Sequence, residues 1–408
     1  MIKTRLRQFQ RAHDLLLEVK DLASSQPDSY PTATPKMIIP LMALHRLLIR
    51  EITRAERKVR RTKNCLKMVE NERDQHEASL LSERLEGYRH LAYNWRCFGD
   101  AVAFLFMDKF SLKQTFYNTH NTSPKQDAGF LIGKTGLQLE LEILDTYLNN
   151  GIPALLTDVT NSIRYGDVVL MVGPNPMLVE VKSGNTDRRG KRQLKSIRQL
   201  NEFFATDEAK DFRGFEKLSR VAHKAEEVNY VDAINDCISE AMKSGFSWRG
   251  PEEGLHYLVI ADDVTDISDV MKEMDLNRPI AFFLNEAKAN RLWSPYSPYT
   301  LSIRDPEALF QFVWGGLIIV VFYDLDVLKR LVEREGKEIE FFDPESDYVF
   351  EVRQAEEGGW GRMGRHLFCR LAYEFCSPAW LLRLIEERLG SHDAGAENAA
   401  ANAQRTVT

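Results

Sequence analysis

Apolar and polar positions change their spacing along this 408-residue chain, and the change marks where its architecture changes. Leu41, Leu44, Leu48, Ile52, Val59, Leu66 and Val69 recur at helical intervals, separated by dense charge such as "RAERKVRRTK". The stretch "HEASLLSERLEGYRHLAYNW" continues without proline and with one glycine, Gly87, so long charged helices are predicted across residues 1–118. Such helices serve either as a coiled-coil-like arm for self-association or a partner protein, or as a layer packed on the same chain. After a polar linker at 118–129, "TGLQLELEILDTYLNNG" predicts a helix. Leu137, Leu141, Leu144 and Leu148 share one stripe, and Asn-Asn-Gly closes it.

The period then shortens. "IPALLTDVT" predicts a strand, and "YGDVVLMVGPNPMLVEVKSG", residues 165–184, predicts a hairpin around Gly-Pro-Asn-Pro. "DRRGKRQLKSIRQLNEFFA" predicts a second helix, a helical insert spans about 222–244, and "LHYLVIADD" reads as a further buried strand. "GLIIVVFYD" adds a strand and "SPAWLLRLIEERL" a helix. These elements divide the chain into a helical region at 1–125, an α/β core at 126–265 and an α/β region at 266–390. The last is either separate or part of the same domain. The Ala-, Asn- and Gly-rich tail at 391–408 predicts disorder.

The hairpin carries three charges that a plain core hairpin avoids. With a four-residue turn at 173–176, Val172 faces Met177, Asp167 faces Lys182, and Val169 faces Glu180. Directly paired residues share a face, so Asp167, Glu180 and Lys182 emerge together and Val179 and Val181 point the other way. Buried unpaired carboxylates cost several kcal/mol, and a divalent cation offsets that cost. Mg²⁺ takes one or two carboxylates and leaves other positions for water and phosphate oxygens. Two carboxylates and a lysine on one face form a chemically complete set for phosphodiester hydrolysis.

Composition sharpens this picture. No apolar run approaches the roughly 18 residues of a membrane span, and the amino-terminal residues lack the uninterrupted apolar stretch of a secretory signal. Cys65, Cys97, Cys237, Cys369 and Cys376 are scattered without a CxxC pair, which argues against a zinc site or disulfide framework and fits a reducing, cytoplasmic setting. Residues 1–200 hold 31 Lys and Arg against 22 Asp and Glu, whereas the remainder holds 23 against 38. That asymmetry places the attraction for a polyanion in the half that bears the hairpin.

Asp167, the triplet Glu180–Val181–Lys182 and the order helix, three strands, helix, strand resemble the PD-(D/E)XK nuclease superfamily over residues 130–265. Gly166 stands where the family name has proline, a position the family leaves variable. The resemblance implies a restriction-endonuclease-like mixed-sheet core flanked by helices, with Asp167 and Glu180 binding Mg²⁺ or Mn²⁺. The Val181 carbonyl would be a further ligand, and Lys182 would activate or position the water.

Many members also carry a glutamate on the first helix and a glutamine on the second. With Leu137 at zero, Glu140 falls at about 300°, edging the apolar stripe, whereas Glu142 at about 140° faces away, so Glu140 is chosen as a metal-supporting residue. Gln193 precedes Ile197 by one turn, within the stripe of Leu194, Ile197, Leu200 and Phe204, and is preferred over Gln199. Arg188, Arg189, Lys191, Arg192 and Lys195 make a basic start to that helix, suited to phosphate-backbone contact or simply to solvation.

Competing motifs are weaker. "GFLIGKTG" approaches a P-loop, but the required first glycine is replaced by Ala128. His223 and His366 have no catalytic partner pattern and read as structural or surface residues. The expectation is therefore a metal-dependent nuclease acting on DNA ahead of RNA, with no membrane association. It would assemble as a homo-oligomer or with a partner protein through its amino-terminal helices. Family habit suggests an anti-phage defence effector. The alternative is a non-catalytic nucleic-acid-binding or scaffold subunit on a nuclease-like fold.

Overall fold

The computed structural model describes residues 5–25, 34–72, 74–127, 129–182, 188–220, 223–262, 268–354 and 359–391. The tail expected to be disordered lies outside these residues, its first position excepted. The chain forms two compact units, one of residues 1–219 with 293–301, the other of 220–292 with 302–408.

The first unit opens with α1 (Leu6–Ser24), α2 (Pro35–Glu72) and α3 (Gln75–Phe106). Proline is tolerated at the start of α2, and the Thr34 hydroxyl accepts the Met37 N–H at 3.3 Å. Asp74 caps α3 by accepting the Glu77 N–H at 3.0 Å. The connection between α2 and α3 is so short that the two form a helical hairpin. Phe9 of α1 locks onto it, its ring centred 5.4 Å from Trp95 and 4.9 Å from Phe98.

These helices belong to the unit that carries the charged hairpin and pack against its loops. The decisive contact is Gly99. A Cβ there would lie 2.0 Å from the Val159 carbonyl oxygen, so only glycine permits this approach of α3 to the loop after the first strand.

After α4 (Lys109–Gln114) and α5 (Leu137–Asn149), a three-stranded antiparallel sheet runs in the order β1 (Ala154–Leu156), β2 (Val168–Leu170), β3 (Met177–Val179). Its register corrects the expected one. Leu170 faces Met177 and Val168 faces Val179, so the link spans 171–176 and not 173–176.

Three hydrogen bonds fix that longer link. The Asp108 N–H donates to Pro174 O at 2.9 Å, Asn175 Nδ2 to Phe204 O at 3.0 Å, and Ser111 Oγ to Asn175 Oδ1 at 2.9 Å. The slip is two residues, which preserves the face of every side chain. The strand pairing ends at Val168 and Val179, and the Asp167 N–H also donates to Val179 O at 2.8 Å, so the chain leaves the regular ladder there.

The second helix of this layer, α6 (Arg188–Thr206), leads into a two-stranded hairpin, β4 (Glu208–Phe212) and β5 (Phe215–Ser219). The strand at 255–260, expected to complete the 126–265 core, does not join this sheet. It is β7 (Leu255–Ile260) of the second unit, paired on one side with β6 (Phe246–Glu252) and on the other with the strand Ile318–Asp324. With β8 (Pro279–Phe283) at the far edge, these strands make a four-stranded antiparallel sheet. The chain is thus mixed α and β, but among the described residues each of the four sheets is antiparallel, and the expected mixed sheet is not observed there. No helix among the described residues is long and apolar enough to cross a membrane.

A buried histidine ties the helical layer to the sheet. The His45 imidazole on α2 accepts the Leu156 N–H through Nε2 at 3.3 Å, and complete burial lowers its pKa from 6.5 to about 4. Because the folded value lies below the unfolded one, this group favours the fold fully above pH 6.5 and loses that contribution as pH falls toward 4. The loss amounts to as much as roughly 3 kcal/mol. Urea unfolding at about pH 7.5 and about pH 4.5 should show this loss, and His45→Gln, whose amide oxygen still accepts from Leu156, should shrink it. An unchanged pH dependence in that variant would remove His45 as the cause.

Candidate active site

Asp167 and Glu180 enter the site from neighbouring strand ends. Gly166, just before Asp167, has φ +74°, and a Cβ would meet Val179 O at 2.8 Å. Proline, locked near about −65°, does not fit this backbone, which gives a physical reason for glycine at that position. Asp167 Oδ2 accepts the Val181 N–H at 2.9 Å, and Glu180 is gripped on both oxygens. Lys182 Nζ donates to its Oε1 at 2.5 Å and Gln193 Nε2 to its Oε2 at 2.8 Å. The structure therefore brings Asp167, Glu180, Val181, Lys182 and Gln193 together. Glu140 joins them from the first turn of α5, buried to 3% exposure, while Glu142 accepts a bond from Gln138 on the exposed side.

Two members of the cluster escaped the sequence reading. Lys134 Nζ lies 2.9 Å from Glu140 Oε2, 2.7 Å from Asp158 Oδ2 and 2.9 Å from Asp167 Oδ1. It sits in the Gly-Lys-Thr-Gly stretch weighed only as a P-loop. Asp158 occupies a 3₁₀ turn, Thr157–Val159, directly after β1. The signal for it was the one that identified Asp167: an acid at the end of an apolar run.

The charges shift one another. Burial raises the Glu140 pKa above its ordinary value and nearby Asp167 adds to it, against the pull of Lys134. Burial likewise raises Glu180, with Lys182 opposing and Asp167 reinforcing. Burial works against the charge on Lys134, but Asp158, Glu140 and Asp167 outweigh it and hold the ammonium above its ordinary value. Four carboxylates and two ammonium groups are thus in one contact network.

Hard oxygen donors in this arrangement suit a divalent ion such as Mg²⁺. Their spacing suits an ammonium better. The oxygens stand at hydrogen-bond distance from Lys134 Nζ, wider than the roughly 2.0–2.1 Å of a Mg–O bond. Among the described residues no group of three or more His, Cys, Asp or Glu side chains is arranged to hold a metal ion.

The cluster opens into a cleft of about 1070 Å³ lined by Lys125, Arg164, Lys182, Arg192 and Lys195 as well as by Lys134. Of the expected basic residues, Arg192 and Lys195 line it and Lys191 does not. The side chains of Arg188 and Arg189 lie outside the described residues. Gln199, passed over in favour of Gln193, also reaches the cleft wall.

The helical layer holds both loops of the site. Arg96 of α3 donates through Nε to Asp158 O at 3.0 Å and through Nη2 to Gly129 O at 3.3 Å, and the same Nη2 pairs with Glu56 Oε1 of α2 at 2.8 Å. Glu56 Oε2 accepts the Ile132 N–H at 3.0 Å. Lys134 and Asp158 are therefore both positioned from helices far away in sequence. No family model, curated protein or solved structure matches the chain.

Arg96→Met leaves Glu56 buried without its partner and should lower stability by about 3 kcal/mol. Urea unfolding measures this, and the Arg96→Met, Glu56→Gln double variant should regain part of the loss. A single-variant loss well under about 1 kcal/mol would show that the clamp does not hold these loops.

Proposed function

We propose that this chain is a metal-dependent nuclease of the PD-(D/E)XK kind that hydrolyses phosphodiester bonds in DNA. The observation that carries the reading is the grip on Glu180. Lys182 and Gln193 take one oxygen each, and Asp167, just before the neighbouring strand, accepts the Val181 N–H on Oδ2. A plain hairpin has no use for this arrangement, whereas a hydrolytic site needs each of its parts.

Asp167, Glu180 and Glu140 are the residues that would hold Mg²⁺ or Mn²⁺, with the Val181 carbonyl beside them. The ion would supply charge neutralisation at the phosphate and a more acidic bound water. Gln193 fixes the orientation of Glu180, so that the carboxylate needs no rearrangement during reaction. Lys182 is 36% exposed at the cleft and can turn between Glu180 and a water or phosphate oxygen. Arg192 and Lys195 supply sequence-independent attraction for the phosphate backbone along the cleft. DNA is preferred because the family that the motif resembles acts mostly on it.

One observation favours a second reading. Lys134 already fills the position between three of the carboxylates, as it would in a non-catalytic nucleic-acid-binding subunit that retains the fold.

Cleavage of plasmid and single-stranded DNA with Mg²⁺ or Mn²⁺ separates the two readings. The wild-type chain should cut, and Asp167→Asn and Lys182→Ala should each reduce the rate by about 10²–10⁴-fold. Both variants should still bind DNA in Ca²⁺. Binding without cleavage under every ion would support the scaffold reading and end the enzymatic one.

A further inference from the structure

Lys134, like its partner Asp158, has no role in the proposed chemistry, and its surroundings are unusual for a surface lysine. Its ammonium touches Glu140 from α5, Asp158 from the 3₁₀ turn and Asp167 at the head of β2, three separate elements meeting on one nitrogen. The backbone beneath it is fixed. The Lys134 N–H donates to Leu131 O at 3.3 Å, its carbonyl accepts from Leu137 N at 3.4 Å, and the preceding residues are tied to Arg96 and Glu56. The side chain, by contrast, borders the cleft and is a quarter exposed. A four-carbon stem on a fixed backbone lets the charge move without the loop.

We propose that Lys134 is a built-in competitor for the divalent ion, which exchanges places with it and turns the lysine into the cleft toward a phosphate of the bound nucleic acid. The inference rests on the metal-dependent reading of the site and extends it to how the site is switched on. The oxygens now spaced for an ammonium would draw together around a smaller ion only after the lysine leaves. An ion and an ammonium within one ring of oxygens repel each other, so the resident charge weakens ion binding. A phosphate in the cleft gives the displaced ammonium a new partner. Nucleic acid therefore tightens ion binding, and the ion tightens nucleic-acid binding by the same factor. The device would confine metal loading largely to the substrate-bound protein.

Calorimetric titration with Mn²⁺, without and with a short nuclease-resistant DNA duplex, tests this directly. Lys134→Met should bind Mn²⁺ without DNA on the order of tenfold or more tighter than wild type, given the strength of a unit charge at about 4 Å. The gap should narrow when DNA is present, and Lys134→Arg should stay as weak as wild type. Equal or weaker Mn²⁺ binding by a folded Lys134→Met protein would overturn the proposal.

Amine labelling of the unmutated chain, read by mass spectrometry, needs no variant. Reactivity of Lys134 should rise several-fold on adding saturating Ca²⁺, and an unchanged labelling rate would also overturn the exchange. If wild type cleaves DNA but neither measurement moves, the exchange falls and the nuclease stands. If Lys134 exchanges with the ion but no DNA is cut, the reverse holds. Failure of any divalent ion to bind wild type or variants removes both.

Discussion

Carboxylates taken out of water must be answered by positive charge, and this constraint organises the first unit. Glu140 and Glu180 are nearly inaccessible, and their proton affinities are raised by burial and by their shared neighbour Asp167. Each has nitrogen partners that hold its oxygens: Lys134 for Glu140, Lys182 and Gln193 for Glu180. Removing one partner leaves a buried charge unbalanced, so the cluster behaves as a unit and its members are not independent contributions. Such an arrangement is expensive for stability alone. An apolar patch of similar volume would cost less, and this is the physical motive for the catalytic proposal.

The amino-terminal helices are part of this solution. Arg96 reads two backbone carbonyls, one on each loop of the site, and Glu56 secures the guanidinium from behind. Asp100 accepts the N–H groups of Asn161 and Ser162, both at 2.9 Å, and so fixes the chain that leads from Asp158 toward Asp167. Burial raises the Asp100 pKa, opposed by the same hydrogen bonds that make it useful. With Gly99 packed on Val159, α3 supplies three kinds of constraint within about one turn: shape, charge and hydrogen bonding. Sequence periodicity showed the helices, but nothing in a local pattern tells which loop a distant arginine will hold.

How much of the site was legible follows from the same distinction. Asp167, Glu180, Lys182, Glu140 and Gln193, which the structure brings together, were chosen on strand alternation, helical phase and the family resemblance, and the first two are local rules. A two-residue error in register left the faces unchanged, since alternation depends only on parity. The turn length itself was not legible, because it is set by Asp108, Ser111 and Phe204, none of which belongs to the hairpin. Lys134 and Asp158 were missed for a related reason. Each was read within its own segment, Lys134 against a phosphate-binding pattern and Asp158 as a strand residue, while their meaning lies in a meeting of three segments. The edge of the core failed similarly: an apolar run such as Leu255–Ile260 announces a buried strand without saying which sheet will bury it.

Charge follows the architecture more closely than the linear reading suggested. The excess of lysine and arginine lies in residues 1–200, nearly coextensive with the first unit, and the acidic excess lies in the rest. Within the first unit Lys125, Lys134, Arg164, Lys182, Arg192 and Lys195 line the same cleft as the carboxylate cluster, so under the proposed function attraction for a polyanion and the site that would act on it coincide. Lys191 shows that this is selective: it belongs to the same basic run as Arg192 and Lys195 but does not line the cleft. Helical phase divides one charge run into a solvated part and a part facing the site. Under the proposed function, a long-range field would bring a polyanion to the unit, and the phased residues would then position it against Asp167 and Glu180.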